Sequence, residues 1–334
     1  MCSSQSKISL VTTPEQSGSL KKPSLGTFSG VFTPSVLTIL GIILFRRLGY
    51  VVGSAGLIQA ILMLALATAI SILTSLSLSA IATNRKVRGG GDYYLISRSL
   101  GAEYGGALGL ILYIAQAVSV AFYCIGFGEA YVSLMGGTKQ TVQLIAAIAA
   151  TALFGLAYSG ADLATRFQFG IMVILIAALT SFFIGASQSI DATTLDSAWT
   201  NKNSNVDFWL IFAIFFPAVT GFTQGVSMSG DLKNPAKSLP IGTFLAVGIS
   251  TIVYIVAMIA LAGSLSQTEL STDYDSLKRI AVVPWLIDIG VLAATLSSAL
   301  ASFLGAPRIL QALANDRLFI WLTPFSVGVG PQSN

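Results

Sequence analysis

The chain has 334 residues, 54% of them hydrophobic and only 10% charged, with a net charge of +4. Soluble domains carry roughly a quarter charged residues, so this composition excludes an ordinary soluble domain and indicates a membrane protein. Histidine is absent, which excludes imidazole metal sites, histidine general bases and histidine proton relays.

Residues 1–25 are polar and rich in Ser and Thr and read as a disordered cytoplasmic tail, with no signal peptide before it. Charge-free windows long enough to span then occur at 23–45, 48–84, 104–128, 140–161, 167–190, 208–230, 238–268 and 289–307. They do not alternate in ten-residue segments, which argues against a β-barrel. The first span holds Pro34 and Leu37-Thr38-Ile39-Leu40-Gly41-Ile42-Ile43, with a glycine at its middle. The window 48–84 is too long for one span and predicts a turn around Gly49 to Gly56, then a second helix over 57–82. The connection Thr83 to Tyr94 carries Gly89-Gly90-Gly91 without a lysine at P-loop spacing, so it reads as a flexible cytoplasmic link. Helices three, four and five are predicted at 104–135, 140–158 and 165–187.

The sixth helix is predicted from Asp207 to about Gly230 and contains Phe216-Pro217-Ala218-Val219-Thr220-Gly221-Phe222-Thr223. Ser229-Gly230-Asp231-Leu232-Lys233-Asn234-Pro235 stops it. Helices seven and eight are predicted at 238–264 and 284–304, the latter ended by Ala306-Pro307-Arg308. With the N-terminus inside, cytoplasmic connections hold twelve of the 18 Lys and Arg residues and the other side six, as the positive-inside rule expects. No nucleic-acid partner is needed to explain the charge. The connections near 190–206 and 265–283, with Asp191, Asp196, Glu269, Asp273 and Asp275, read as external loops. Cys2 and Cys124 form no disulfide or metal pattern.

Proline removes a backbone donor and glycine has the lowest non-proline helix propensity. A helix broken at membrane depth leaves bare carbonyls on one half and bare amides on the other. The carbonyl ends suit cations and the amide ends suit anions. Two interrupted helices in corresponding positions point to a secondary-transporter site, although either alone is more simply a kink. The five-helix offset predicts a first repeat over 26–188 and a partial second repeat over 207–305, within a transmembrane domain 26–305. Residues 306–334 read as a cytoplasmic connection cut short, before any ninth and tenth helices.

On the eighth helix, Ala294, Ser297 and Ser298 share a face. Their neutral oxygens suit sodium, or they merely pack between helices. Tyr123 lies mid-way along helix three and could turn toward the breaks or simply pack. Glu129 and Asp288 sit near outer ends, and Arg46 and Arg47 follow the first break, either in a vestibule or as headgroup anchors.

Several motifs in order resemble the cation–chloride cotransporter family. They are Leu37 to Leu48, Ser79-Ala80-Ile81-Ala82-Thr83-Asn84 with Val87-Arg88-Gly89-Gly90-Gly91, and Tyr93 to Gly101. Phe215 to Gly221, Met228 to Leu232, Ala306-Pro307-Arg308 and Gln311-Ala312-Leu313 complete the set. The resemblance covers about residues 26 to 325. It implies an all-α transmembrane, LeuT-like inverted-repeat fold of the amino acid–polyamine–organocation superfamily, with helices one and six discontinuous. It also implies electroneutral symport of chloride with potassium, sodium or both, not an enzyme. No cofactor is implied beyond the transported ions. By the same resemblance, potassium rests on Thr38, Ile39, Tyr123, Pro217 and Thr220. One chloride rests on Gly41, Ile42 and Ile43, and another on Gly221, Phe222 and Thr223. Sodium rests on Leu37, Leu40, Ala294, Ser297 and Ser298. A multi-pass protein of the plasma membrane and a homodimer are the family expectations. An amino-acid permease of the same superfamily and a truncated, non-transporting membrane protein are the competing readings.

Overall fold

The computed structural model describes residues 25–85, 90–159, 161–200 and 207–327. The expectations for the tail over 1–24, for Lys86, Arg88 and Lys202, and for 328–334 lie outside them. Leu25, assigned to the tail, is ordered: its amide donates to the Asp231 carbonyl and its carbonyl accepts from Lys233.

After a π-helical turn at Phe28–Phe32 come α1 (Thr33–Ile39), α2 (Ile42–Arg46), α3 (Leu48–Ala55), α4 (Leu57–Asn84), α5 (Gly91–Leu100), α6 (Ala102–Met135), α7 (Lys139–Tyr158) and α8 (Ala161–Ser189). The chain continues through α9 (Ala192–Ala198), α10 (Phe208–Phe215), two 3-10 turns at Phe216–Val219 and Gly221–Thr223, and α11 (Gln224–Ser227). The last helices are α12 (Pro235–Ser264), α13 (Gln267–Thr272), α14 (Ser276–Ile280) and α15 (Pro284–Asn315). Eight spans are long and apolar enough to cross a membrane: Phe28–Arg46, α4, α6, α7, Leu163–Ser189 of α8, Phe208–Ser227, α12 and α15. The first and eighth spans are the most buried, and the third and fourth the least. The molecule is therefore layered around α1, α2 and α15. The second and seventh spans pack on each other, as do the third and eighth, and α1 touches α8, α12 and α15.

Glycines let the spans close up. A Cβ at Gly225 or Gly242 would stand 2.5–2.6 Å from atoms of Val31, so the first, sixth and seventh spans meet at backbone distance. A Cβ at Gly109 would strike the Tyr93 ring at 2.5 Å.

Three expectations change. Residues 48–55 form a helix, and only Gly56, at φ 78°, makes the turn. The glycine-rich link ends at Gly91, where α5 starts; Gly90 and Gly91 take positive φ, Asp92 occupies the favourable first turn, and Tyr93 is fully buried. The eighth span continues through Pro307 to Asn315. Proline removes one helical hydrogen bond. The added turns are held by buried Ile309 and Leu313 and by Arg308, which donates to the Ser227 carbonyl at 2.8 Å and to Asp231 at 2.7 Å.

Candidate functional site

Both sequence breaks are real and face each other. α1 ends at Ile39, Leu40 leaves helical geometry at ψ 44°, and α2 restarts at Ile42. Glycine is required at 41 because a Cβ there would stand 2.9 Å from the Thr38 carbonyl oxygen. In the sixth span the α-helix tightens into 3-10 turns around Pro217, Thr220 and Gly221. A Cβ at Gly221 would stand 2.6 Å from the Thr38 side chain and 2.9 Å from the Ile39 nitrogen. The Ser35 hydroxyl ties the two spans by donating to the Phe222 carbonyl at 3.0 Å.

The bare peptide groups fall where a broken helix puts them. Among the described residues, no backbone carbonyl accepts from the amides of Gly41, Ile42 and Ile43, while the Leu44 amide turns back to the Gly41 carbonyl. These amides open α2, and those of Gly221, Phe222 and Thr223 open the second 3-10 turn. The Leu37 carbonyl and the Ser298 hydroxyl converge on Gly41, 3.8 and 3.7 Å from the place of its absent Cβ. The hydroxyls of Ser297 and Ser298 are buried and have no hydrogen-bond partner, with buried Ala294 one turn away. An orphaned buried hydroxyl is costly unless an ion or water satisfies it. Of the five residues expected at sodium, the Leu37 carbonyl and the Ser298 hydroxyl are the two that converge here, with the Ser297 hydroxyl beside them unpartnered.

The five residues assigned to potassium are brought together only in part. Thr38 and Ile39 abut Gly221. Tyr123 stands one turn from Gly126, whose open face meets Ile42 and Thr295, so the third span presents it at the level of the break. Pro217 and Thr220 are exposed, and the Pro217 carbonyl already accepts from the Thr220 hydroxyl at 2.9 Å. No hydrogen bond joins Tyr123 to these residues.

Sequence reasoning missed Tyr254. Fully buried on α12, it donates its hydroxyl to the Ile39 carbonyl at 2.8 Å and packs edge-on against Phe215. Its one advance signal is a lone tyrosine inside an apolar span, whose hydroxyl must find a partner. Ser71, which donates to the Val219 carbonyl at 3.1 Å, was missed as well.

Of the acids and arginines singled out near the span ends, Arg46, Arg47 and Asp288 have partners. Arg46 bonds Asp275, and Lys278 reaches Asp288 at 2.8 Å, around a cleft that Phe45 and Ser133 also line. Arg47 lies over the Tyr274 ring. At the opposite end, Asp316 accepts from Tyr93 and Arg98, both at 2.6 Å; burial and the Asp316 carboxylate push the Tyr93 phenol above its ordinary range. Glu129 is exposed.

The amino acid permease family pattern matches residues 30–326. The chain belongs to that family. It is 35% identical to solute carrier family 12 member 2 of Mus musculus over 96% of this chain and 31% of the relative. To member 1 of Mus musculus it is 36% identical over 92% of this chain and 33% of the relative. The chain thus spans about a third of the length of the curated relatives it matches, and the resemblance read from the motifs runs through nearly all of it. Two solved structures share the fold at TM-score 0.61 and 14% identity. They are a Na+-coupled sialic acid symporter in its substrate-bound outward-open state and MhsT in complex with L-phenylalanine, matched over 89% and 92% of this chain and 67% and 77% of theirs. The fold is the LeuT-like one, and the protein is an integral, multi-pass membrane protein of a transporter family.

Proposed function

We propose that the full-length protein moves chloride together with potassium and sodium across a membrane, electroneutrally and by alternating access. The observation that carries this is the pair of helix breaks in contact, flanked by two buried serine hydroxyls that lack partners. Sodium is held by the carbonyls of Leu37, Leu40 and Ala294 with the Ser297 and Ser298 hydroxyls. Potassium is held by Thr38, Ile39, Tyr123, Pro217 and Thr220. One chloride sits on the amides of Gly41, Ile42 and Ile43, the other on those of Gly221, Phe222 and Thr223. Opposite charges held close in a low-dielectric site stabilise one another, and this couples the ions. The Leu25 end faces the cytoplasm, consistent with the distribution of lysine and arginine, in the plasma membrane and with a second copy as partner. A single glycine at the first break supports inorganic ions over the amino-acid carboxylate of a permease.

The test is rubidium uptake into proteoliposomes by the full-length protein. Uptake that needs both chloride and sodium is expected. Uptake indifferent to sodium removes the sodium site, and stimulation by an amino acid supports the permease instead. Ser297→Ala with Ser298→Ala should raise the sodium requirement about tenfold or more, on the scale of one lost charge-assisted ligand, and leave expression intact.

A further inference from the structure

The serine pair is not alone. Thr33, Gln168 and Ser302 also bury polar side-chain atoms without a partner, both polar atoms in the case of Gln168. None of the three is more than 1% exposed. An amide with neither donor nor acceptor satisfied calls for water or an ion.

Helix geometry places all three in one seam. Val31, Ser35 and Thr38 face the sixth and seventh spans. At 3.6 residues per turn, Thr33 points the opposite way, with Leu37 and Leu40, on the side available to α8 and α15. Gln168 extends the buried ridge Ile171, Leu175, Ala178 and Phe182 of α8. Ala178 meets Gly290 of α15, and Ser181 meets Val283, so the two helices run antiparallel. From the Ala178–Gly290 contact, Gln168 is ten residues back, about 15 Å, and Ser298 and Ser302 are eight and twelve residues on, about 12 and 18 Å. Gln168 is thus level with the step between the two serines, and Thr33 lies one turn beyond Leu37 toward the Leu25 end.

We propose that Thr33, Gln168 and Ser302 form a second cation subsite between the first, fifth and eighth spans. It holds a sodium ion, partly hydrated, on the Leu25 side of the serine pair. Two hydroxyls and one amide carbonyl are hard, neutral oxygens, the same chemistry as the serine pair. The Gln168 amide group donates to a water that fills the remaining coordination. Among the described residues no carboxylate lies in the seam, so the site binds weakly and stages the ion between the serine pair and the adjacent end of the molecule. This rests on the reading of the serine pair as a sodium site.

The test uses full-length protein, with sodium chloride against N-methylglucamine chloride. Its readouts are the sodium-dependent rise in melting temperature and the sodium, rubidium and chloride KM of uptake. Gln168→Met keeps the volume and removes the unpartnered amide. It should match or exceed the wild-type melting temperature without sodium, need about tenfold more sodium for half its shift, and keep the rubidium and chloride KM. Ser302→Ala, a smaller change, should act in the same direction and covers a failure of Gln168→Met to fold. Wild-type sodium dependence in both variants would overturn the subsite alone, as would a parallel loss for all three ions. A wild type without sodium dependence would overturn both the subsite and the symport reading.

Discussion

At the scale of single residues, the candidate site is made mostly of backbone, with the Ser297 and Ser298 hydroxyls beside it, and a few side chains hold that backbone in place. Tyr254 is the clearest case. Its hydroxyl occupies one lone pair of the Ile39 carbonyl and fixes the peptide plane where α1 ends; the second lone pair is the one that, on the symport reading, takes the cation. Tyr254→Phe keeps the ring against Phe215 and loses only that bond. On the symport reading it should raise the rubidium KM about three- to tenfold, the worth of one buried hydrogen bond of about 1 kcal/mol, and leave the sodium KM unchanged. Equal rises for both ions would make Tyr254 a packing residue only. The breaks at Gly41 and Gly221 and the shared face of Ser297 and Ser298 were legible in the sequence because their signals are local: glycine propensity at the breaks and i, i+3, i+4 spacing from Ala294 on the eighth helix. Tyr254 and Ser35 were not legible as site residues, because their partners lie 215 and 187 positions away.

Among elements, the eight spans and both breaks could be read in advance, since each depends on an apolar window and its own glycines and prolines. The elements that eluded sequence reasoning depend on distant partners. α5 exists because Tyr93 docks on Gly109 and bonds Asp316. The eighth span passes Pro307 because Arg308 is anchored on the sixth. The helices beyond the span ends rely on caps. In α13 the Ser266 side chain and the Glu269 carboxylate cap one another. The Ser266 hydroxyl and amide, then Arg279, hold Glu269 down from its ordinary 4.5 to about 2. A depressed folded-state value means that the contribution to stability is present above the unfolded value and lost as pH falls from about 4.5 through about 2. Corrected for intrinsic rates, amide exchange in α13 should therefore accelerate over that window in the wild type and stay flat in Glu269→Gln. An identical pH response in the two would show that the carboxylate does not hold the helix.

For the whole molecule, alternating access, on the symport reading, requires the first and sixth spans to part from the third and eighth at one end at a time. The Leu25 end is closed by a strap and a clamp. Leu25 pairs with the Asp231–Lys233 backbone, and Arg308 of the eighth span grips Asp231 and the Ser227 carbonyl at the end of the sixth. The clamp is half-buried beside a cavity of about 290 Å³ lined by Gly90, Gly230, Gln311 and Asn315, so water can reach the groups once they separate. Opening here must break the bond from Arg308 to the Ser227 carbonyl and a partly exposed, solvent-screened ion pair to Asp231, together on the order of 2 kcal/mol, or roughly a thirtyfold shift in population. Arg308→Gln should therefore favour the open arrangement at this end. The measurement is thiol labelling of Met228→Cys, a buried position three residues before Asp231, in a Cys2→Ser, Cys124→Ser chain. Labelling should quicken by up to thirtyfold with Arg308→Gln and slow again when Arg308→Asp is combined with Asp231→Arg. A rate indifferent to all three changes would mean that the strap and the apolar packing around Val31 close this end without the ion pair.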